Sequence, residues 1–300
     1  MPANVTVHSL GKERGVSRLK YLWNFYRYLF RERYEYVLVH MNSEYVVLGG
    51  WWWRLCGKKI GLWYSHKSLT LKLSIAVQFA NIIFTTARRS VTFATPKLRF
   101  MGHGIDVNTS HCMARAENQK PVILTVGRVT KIKHCETLIE TVALLKKEGF
   151  QCHSIIAGGP ATDADRAYEK ELRALSQKLE VGNLVEFTGT IPLEKLLAWY
   201  CHADISVNMV PTGGLDKSVL EGMAAGNLVI SSNEVFRDHF GVYADRLIFK
   251  TGDSTELASK ISVLWNSPDR EEVRKFLIHK AGEFDVRTLM KSLSDELQEL

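Results

Sequence analysis

Cysteine is scarce and unpatterned in this sequence. The five thiols, Cys56, Cys112, Cys135, Cys152 and Cys201, are odd in number and show no CxxC spacing. That argues against a disulfide framework or a structural zinc site and makes a reducing cytoplasm the expected compartment. Long apolar runs are missing too. No stretch reaches the roughly 18 residues that a membrane-crossing helix needs, and the opening MPANVTVHSLGKERG holds no apolar signal-peptide segment. The motifs GxGxxG, GxxxxGK[ST] and HExxH and the EF-hand loop are absent. Their absence counts against nicotinamide-dependent hydride transfer and P-loop hydrolysis. Low-complexity segments and internal repeats are lacking as well. What remains is an ordinary globular composition, 46 % hydrophobic and 24 % charged over 300 residues, with length for two domains of about 150 residues each.

Charge is divided unevenly. Residues 1–110 hold 16 Lys/Arg against 5 Asp/Glu, a net of +11, while residues 111–300 hold 23 against 27, a net of −4. A basic half attracts phosphates, on nucleic acid or on an anionic membrane; the plainer alternative is a solvated basic face. No nucleic-acid-binding motif accompanies it. Residues 14–34 (RGVSRLKYLWNFYRYLFRERY) mix cations with aromatics in the manner of a helix lying on a membrane surface. Trp51, Trp52 and Trp53, followed by Lys58 and Lys59, form a second such candidate, with packing on a sheet as the competing reading.

From residue 122 onward short apolar runs alternate with amphipathic stretches. The runs Val122–Val126, His153–Ala157, Leu184–Thr188, Ile205–Met209, Leu228–Ser231 and Leu247–Phe249 read as strands. Glu136–Glu148, Asp165–Leu179, Leu193–His202, Asp216–Ala225 and Thr255–Trp265 read as helices. Strand then helix, repeated, with nearly continuous apolar strands, indicates a parallel sheet covered on both faces. The first half repeats the rhythm: strands at Val5–Val7, Tyr36–Val39, Ile60–Tyr64, Ile82–Thr85 and Leu98–Met101, helices at Ser17–Arg33, Glu44–Cys56 and Leu69–Ala80. Residues 107–120 read as a linker and 269–300 as two helices. The expected fold class is α/β, two Rossmann-like doubly wound domains (1–112 and 113–300) facing a cleft. In such sheets ligands bind beyond the carboxyl ends of the strands.

Three segments sit at such ends. Gly127-Arg128-Val129-Thr130-Lys131-Ile132-Lys133 crowds three cations into one loop; Arg128 can fork onto two phosphate oxygens and Lys133 adds a point charge. Gly158-Gly159-Pro160 is a tight turn. Pro211-Thr212-Gly213-Gly214-Leu215-Asp216-Lys217-Ser218-Val219-Leu220-Glu221-Gly222-Met223-Ala224-Ala225-Gly226 leads a glycine pair into a helix N-terminus, a ready anion site. There Asp216 can cap, Lys217 can neutralise a phosphate and Glu221 can accept hydrogen bonds from a ribose diol. The competing reading is an exposed Lys217–Glu221 pair worth a few tenths of a kcal/mol. Asp163-Ala164-Asp165 spells DxD, a metal–diphosphate motif elsewhere, but at a helix start it reads as capping.

On these residues the sequence resembles the retaining GT-B glycosyltransferases of family 4, the group 1 glycosyl transferases, over roughly residues 60–265. The GRVTKIK loop, the AGGP turn and TGGLDKSVLEGMAAG with its following NLVIS strand carry the likeness. His66 in LWYSHK and Gly102-His103-Gly104-Ile105-Asp106 add family landmarks. The resemblance implies a nucleotide-diphosphate-sugar donor bound mainly by the second domain. Arg128 and Lys133 would hold the diphosphate and Glu221 the ribose. Thr190 and Ile191 would meet the base through their backbone, and Gly158 and Gly159 would leave room for the nucleoside. His66 would sit by the donor sugar. Two departures stand out. Gly213 occupies the position of the family's usual first Glu, which shifts contact with the sugar hydroxyls to the backbone amides around Leu215, Asp216 and Lys217; Gly214 and Ser218 complete the expected donor-binding segment. A first strand and glycine-rich loop, expected before Val5, are missing, so the N-terminal domain reads as shortened.

The only carboxylates in residues 1–110 are Glu13, Glu32, Glu35, Glu44 and Asp106, and none follows the LWYSH strand, where a nucleophile for a covalent intermediate is expected. The expected reaction is therefore retaining, metal-independent and direct, with no obligatory cofactor. The acceptor would be a glycan or a lipid-linked hydroxyl, on the inner face of an anionic membrane. The alternatives are a catalytically silent nucleotide-sugar-binding module or a truncated fragment.

Overall fold

The structure is a computed structural model that describes residues 5–66, 68–86, 91–107, 112, 118–211 and 214–300. The chain divides into two compact units, residues 1–101 with 293–300, and residues 102–292. The first carries a four-stranded parallel sheet, β1 (Tyr36–His40), β2 (Lys59–Trp63), β3 (Ile82–Thr85) and β4 (Leu98–Phe100), in the order β1-β2-β3-β4. Its helices α1 (Arg18–Arg31), α2 (Ser43–Leu55) and α3 (Leu71–Phe79) bury Phe25, Leu29, Val46, Trp53 and Leu73 with Ile60 and Leu62 of β2. Ser17, Asn42 and Thr70 cap the three helix starts, each accepting from a backbone N–H two or three residues on. Val5–Val7, expected as a strand, forms none. Its side chains are exposed, and three residues without a paired neighbour make no ladder.

The second unit holds β5 (Val122–Val126), β6 (His153–Ala157), β7 (Val185–Gly189), β8 (Ile205–Asn208) and β9 (Leu228–Ser231), all parallel, in the order β7-β6-β5-β8-β9. Between them run α4 (Cys135–Lys147), α5 (Asp163–Lys178), α6 (Leu193–His202) and α7 (Lys217–Ala224), and after β9 come the short α8 (Arg237–Phe240) and α9 (Ala244–Leu247), then α10 (Ser254–Asn266), α11 (Arg270–Gly282) and α12 (Val286–Gln298). The order reverses between β5 and β8, which makes their carboxyl ends the switch point where such sheets bind ligands. Leu124, Leu138, Val219, Leu220, Ile230 and Leu257 are among the fully covered core residues. Leu247–Phe249, expected as a strand, instead ends α9 and reaches the sheet through one bridge, Ser231 to Ile248.

One disulfide, Cys112 to Cys201, with Cα atoms 5.5 Å apart, corrects the expectation of none. The two thiols lie 89 residues apart in sequence, so only the folded chain brings them together. Residues 108–111 and 113–117 of the expected linker lie outside the described residues. Among the described residues no helix is long and apolar enough to cross a membrane.

Candidate functional site at the carboxyl ends of β5 and β8

Three strand-end turns, those after β5, β6 and β7, pack on one another beside the switch point. After β5 the chain turns at Gly127, and after β6 at Gly158. A Cβ on Gly158 would stand 1.9 Å from the Gly127 carbonyl oxygen, and one on Gly159 2.4 Å from Thr190 Oγ1 and 3.0 Å from Thr190 N. The glycines at 158 and 159 are thus required by the packing of the β5, β6 and β7 turns on one another. Val129 N donates to the Gly159 carbonyl at 3.2 Å, which ties the basic loop to the same crossing. Thr190 is exposed beside it, and Ile191 packs against the apolar cluster around Tyr200.

Lys133 closes the loop. Its side chain lies over Gly127, with Cε 3.0 Å from where a Cβ would be, and its ammonium donates to Asp216 Oδ2 at 2.8 Å. Asp216 is the N-cap of α7. Its Oδ1 accepts from Ser218 N at 3.2 Å and Ser218 Oγ at 3.0 Å, and its Oδ2 also accepts from Asn208 Nδ2 at 2.9 Å. Each carboxylate oxygen therefore has two donors. Burial pushes the Asp216 pKa up, but the Lys133 ammonium and these hydrogen bonds outweigh it and hold the group below the usual carboxylate range. The result is an ammonium fixed at the positive end of a helix. Among the described residues one of its three N–H donors goes to Asp216, which leaves two for an incoming anion. The glycine loop is anchored from behind: Leu215 is buried, and Asn233, at the end of β9, donates to the Gly214 carbonyl at 3.1 Å. Thr212 and Gly213 lie outside the described residues.

Beside this cluster a cavity of about 320 Å³ is lined by Lys217, Glu221, Tyr200, Asp106 and the apolar Leu193, Leu196 and Leu197, among others. Glu221 Oε2 accepts from Tyr200 Oη at 3.0 Å. Burial raises the Glu221 pKa, against the opposing pull of the Tyr200 hydroxyl and the Lys217 ammonium. Leu193 begins α6 only two residues after Ile191, so the turn at 190–191 leads straight to the cavity wall. A charged rim with an apolar wall suits a group with a polar edge and a flat apolar face. Gly104 and Ile105 join the lining because Ile105 N donates to the Phe284 carbonyl and Val286 N to the Ile105 carbonyl, both at 2.8 Å, which clips the GHGID segment to the start of α12.

The structure thus brings Lys133, Asp216 and Ser218 into one cluster and Lys217 with Glu221 into the neighbouring cavity. Arg128 is exposed on the Lys133 loop, and its charge helps hold the Asp165 carboxyl below its ordinary value, after the larger effect of the Thr162 hydroxyl. Asp165 itself accepts from Thr162 N at 3.0 Å in a capping box, as the capping reading of DxD requires. His66 belongs to the first unit, where it follows β2, is exposed, and meets the Tyr64 ring edge to face at 5.8 Å. Sequence reasoning missed Asn208, Asn233 and Tyr200. The first two stand at or just beyond the ends of β8 and β9, positions that could have been searched; Tyr200 sits at the far end of α6 and gives no local signal.

Residues 120–267 match the family described as "Glycosyl transferases group 1". Among curated relatives, the GDP-Man:Man(3)GlcNAc(2)-PP-Dol alpha-1,2-mannosyltransferase of Caenorhabditis elegans is 26 % identical over 171 residues, 53 % of this chain and 36 % of that protein. The D-inositol 3-phosphate glycosyltransferase of Thermomonospora curvata is 28 % identical over 115 residues, 37 % of this chain and 26 % of that protein. The matched region therefore spans between about a quarter and a little over a third of these relatives. Among solved structures, HepE of Anabaena in complex with UDP superposes with a TM-score of 0.74 at 15 % identity, covering 93 % of this chain and 82 % of that one. Sucrose-phosphate synthase of Thermosynechococcus elongatus does so with 0.74 at 18 %, covering 94 % and 77 %. These likenesses establish a GT-B fold, two parallel-sheet α/β units.

Proposed function

We propose, from the premise that this chain belongs to the group 1 glycosyltransferases, that it transfers a sugar from a nucleotide-diphosphate donor with retention of configuration. The observation that carries the reading is Lys133 locked to the N-cap of α7 beside the Glu221 cavity. The diphosphate takes the two remaining Lys133 donors, Arg128 and the amides at Leu215–Lys217. The ribose takes Glu221 and Lys217, and the base lies on Leu193, Leu196 and Leu197 near Thr190 and Ile191. His66 orients a donor-sugar hydroxyl. In the reaction the bond from the anomeric carbon to the diphosphate oxygen breaks. The acceptor oxygen bonds on the same face, and its proton passes to the leaving oxygen. Negative charge grows on that oxygen, and preorganised cations and helix amides oppose it. No metal is needed in this scheme. The acceptor is a glycan, lipid-linked or other hydroxyl, met at a membrane surface; relatives named for a PP-Dol-linked glycan and for inositol 3-phosphate support that breadth.

Thermal-shift titration against UDP-, GDP- and ADP-sugars tests donor binding. One nucleotide class should raise the melting temperature in proportion to RT ln(1 + [L]/Kd). No shift with any of the three would remove the reading. A second reading, nucleotide-sugar binding without transfer, is favoured by Gly213 standing where the family has its first Glu. Slow donor hydrolysis without acceptor separates the two, since a silent module gives none.

A further inference from the structure

The exposed face of α1 carries two adjacent stripes of different character. Three apolar side chains, Leu19, Trp23 and Phe30, are 82 %, 71 % and 53 % exposed. At 100° per residue they fall on one stripe about 40° wide, directly beside a second stripe of exposed cations, Lys20, Arg27 and Arg31. No acidic residue interrupts the helix between Arg18 and Arg31. The apolar stripe continues onto α2. The Phe30 ring meets Trp52 edge to face at 4.9 Å, Trp52 meets the exposed Trp51 at 5.7 Å, and Leu55, one turn further along, is 73 % exposed. A soluble helix normally turns such residues inward, and α1 already does so with Phe25 and Leu29. The outer stripe is therefore a second apolar face.

We propose that this α1–α2 face docks on an anionic lipid bilayer, with Leu19, Trp23, Phe30, Trp51 and Leu55 entering the headgroup–acyl boundary and Lys20, Arg27 and Arg31 on the lipid phosphates. The charge complementarity is specific to this half, which carries a net of +11 over residues 1–110. A nucleic acid would satisfy the three cations and stack on the aromatics, but it would leave Leu19 and Leu55 in water. A bilayer takes both stripes at once. The inference rests on the first unit alone and stands or falls independently of the donor site.

Co-sedimentation of the whole chain tests it, with phosphatidylcholine vesicles and with vesicles that also contain phosphatidylglycerol. The chain should pellet with the second and not the first, and less so as salt rises. Lys20→Glu/Arg27→Glu/Arg31→Glu should lower partitioning at least about a hundredfold. Trp23→Ala/Phe30→Ala should lower it about tenfold and reduce quenching of tryptophan fluorescence by bromine-labelled lipid. None of the five positions belongs to the donor site, so the donor-induced thermal shift should be unchanged in both variants; the melting temperature should be unchanged in the charge variant and fall slightly in the other, where the Phe30 ring leaves Trp52. Pelleting that ignores phosphatidylglycerol, or that survives both variants, would overturn the proposal. So would a dimer in solution that Trp23→Ala/Phe30→Ala dissolves, which assigns the face to a second copy, or salt-sensitive binding to an oligonucleotide in place of vesicles.

Discussion

The two units are built from the same strand–helix rhythm and bury it to different degrees. In the second, β5, β6, β8 and β9 are buried along almost their whole length, and the chemistry gathers where the strand order reverses. In the first, β1 pairs on one side only among the described residues and leaves Tyr36 and Leu38 about two-fifths exposed, while outward helix faces carry the exposed aromatics and cations proposed to meet lipid. A ligand held by loops at a switch point needs a rigid sheet beneath it. A surface that meets an extended partner needs only a stable helix to display its residues.

The largest difference should appear in core stability. Leu124→Ala, in the centre of the second sheet and fully buried, is expected to cost about 2–5 kcal/mol. Leu38→Ala, on the open strand of the first, should cost under about 1 kcal/mol. Urea denaturation followed by circular dichroism measures both, and equal costs would break the contrast. Next comes the cross-link. Cys201→Ser releases Cys112 and should destabilise the second unit by up to about 2–4 kcal/mol with the first unit's transition unmoved; a shift of both transitions together would show that the units do not unfold separately.

The smallest effect is on titration. Burial lifts Glu221 above its ordinary value, so at this carboxyl the folded chain binds a proton more tightly than the unfolded one. That contribution favours the fold at pH below the ordinary carboxylate value and is lost as pH rises through the raised one. Tyr200→Phe removes a hydrogen bond that favours the charged form. It should lift the Glu221 pKa further, move the acid limb of donor affinity to higher pH, and weaken donor binding about threefold to tenfold near neutrality. An unmoved acid limb would detach Glu221 from the donor.

Much of the second unit was legible because its signals are local. The runs at β5, β6 and β7 end at glycines, and β5, β6 and β9 begin and end where the runs do. Lys133 and Glu221 could be proposed from the sequence because they follow strands in chain order. What escaped depends on distance in sequence. Cys112 meets Cys201 and Tyr200 meets Glu221 only after folding, and nothing near Asn208 announces that it will hold Asp216. The first unit misled for a different reason: Val5–Val7 has the composition of a strand, but a strand needs a neighbour. Its triple tryptophan proved divided, with Trp53 buried, Trp52 half-buried and Trp51 exposed, since three consecutive helical residues point 100° apart.

Donor turnover by Arg128→Ala/Lys133→Ala is the most direct probe of the central claim that the second unit grips a diphosphate with a guanidinium, an ammonium and a helix start. With folding verified by an unchanged circular dichroism spectrum, kcat/KM for the donor should fall by about a thousandfold or more. Turnover within about threefold of the unaltered chain would contradict it.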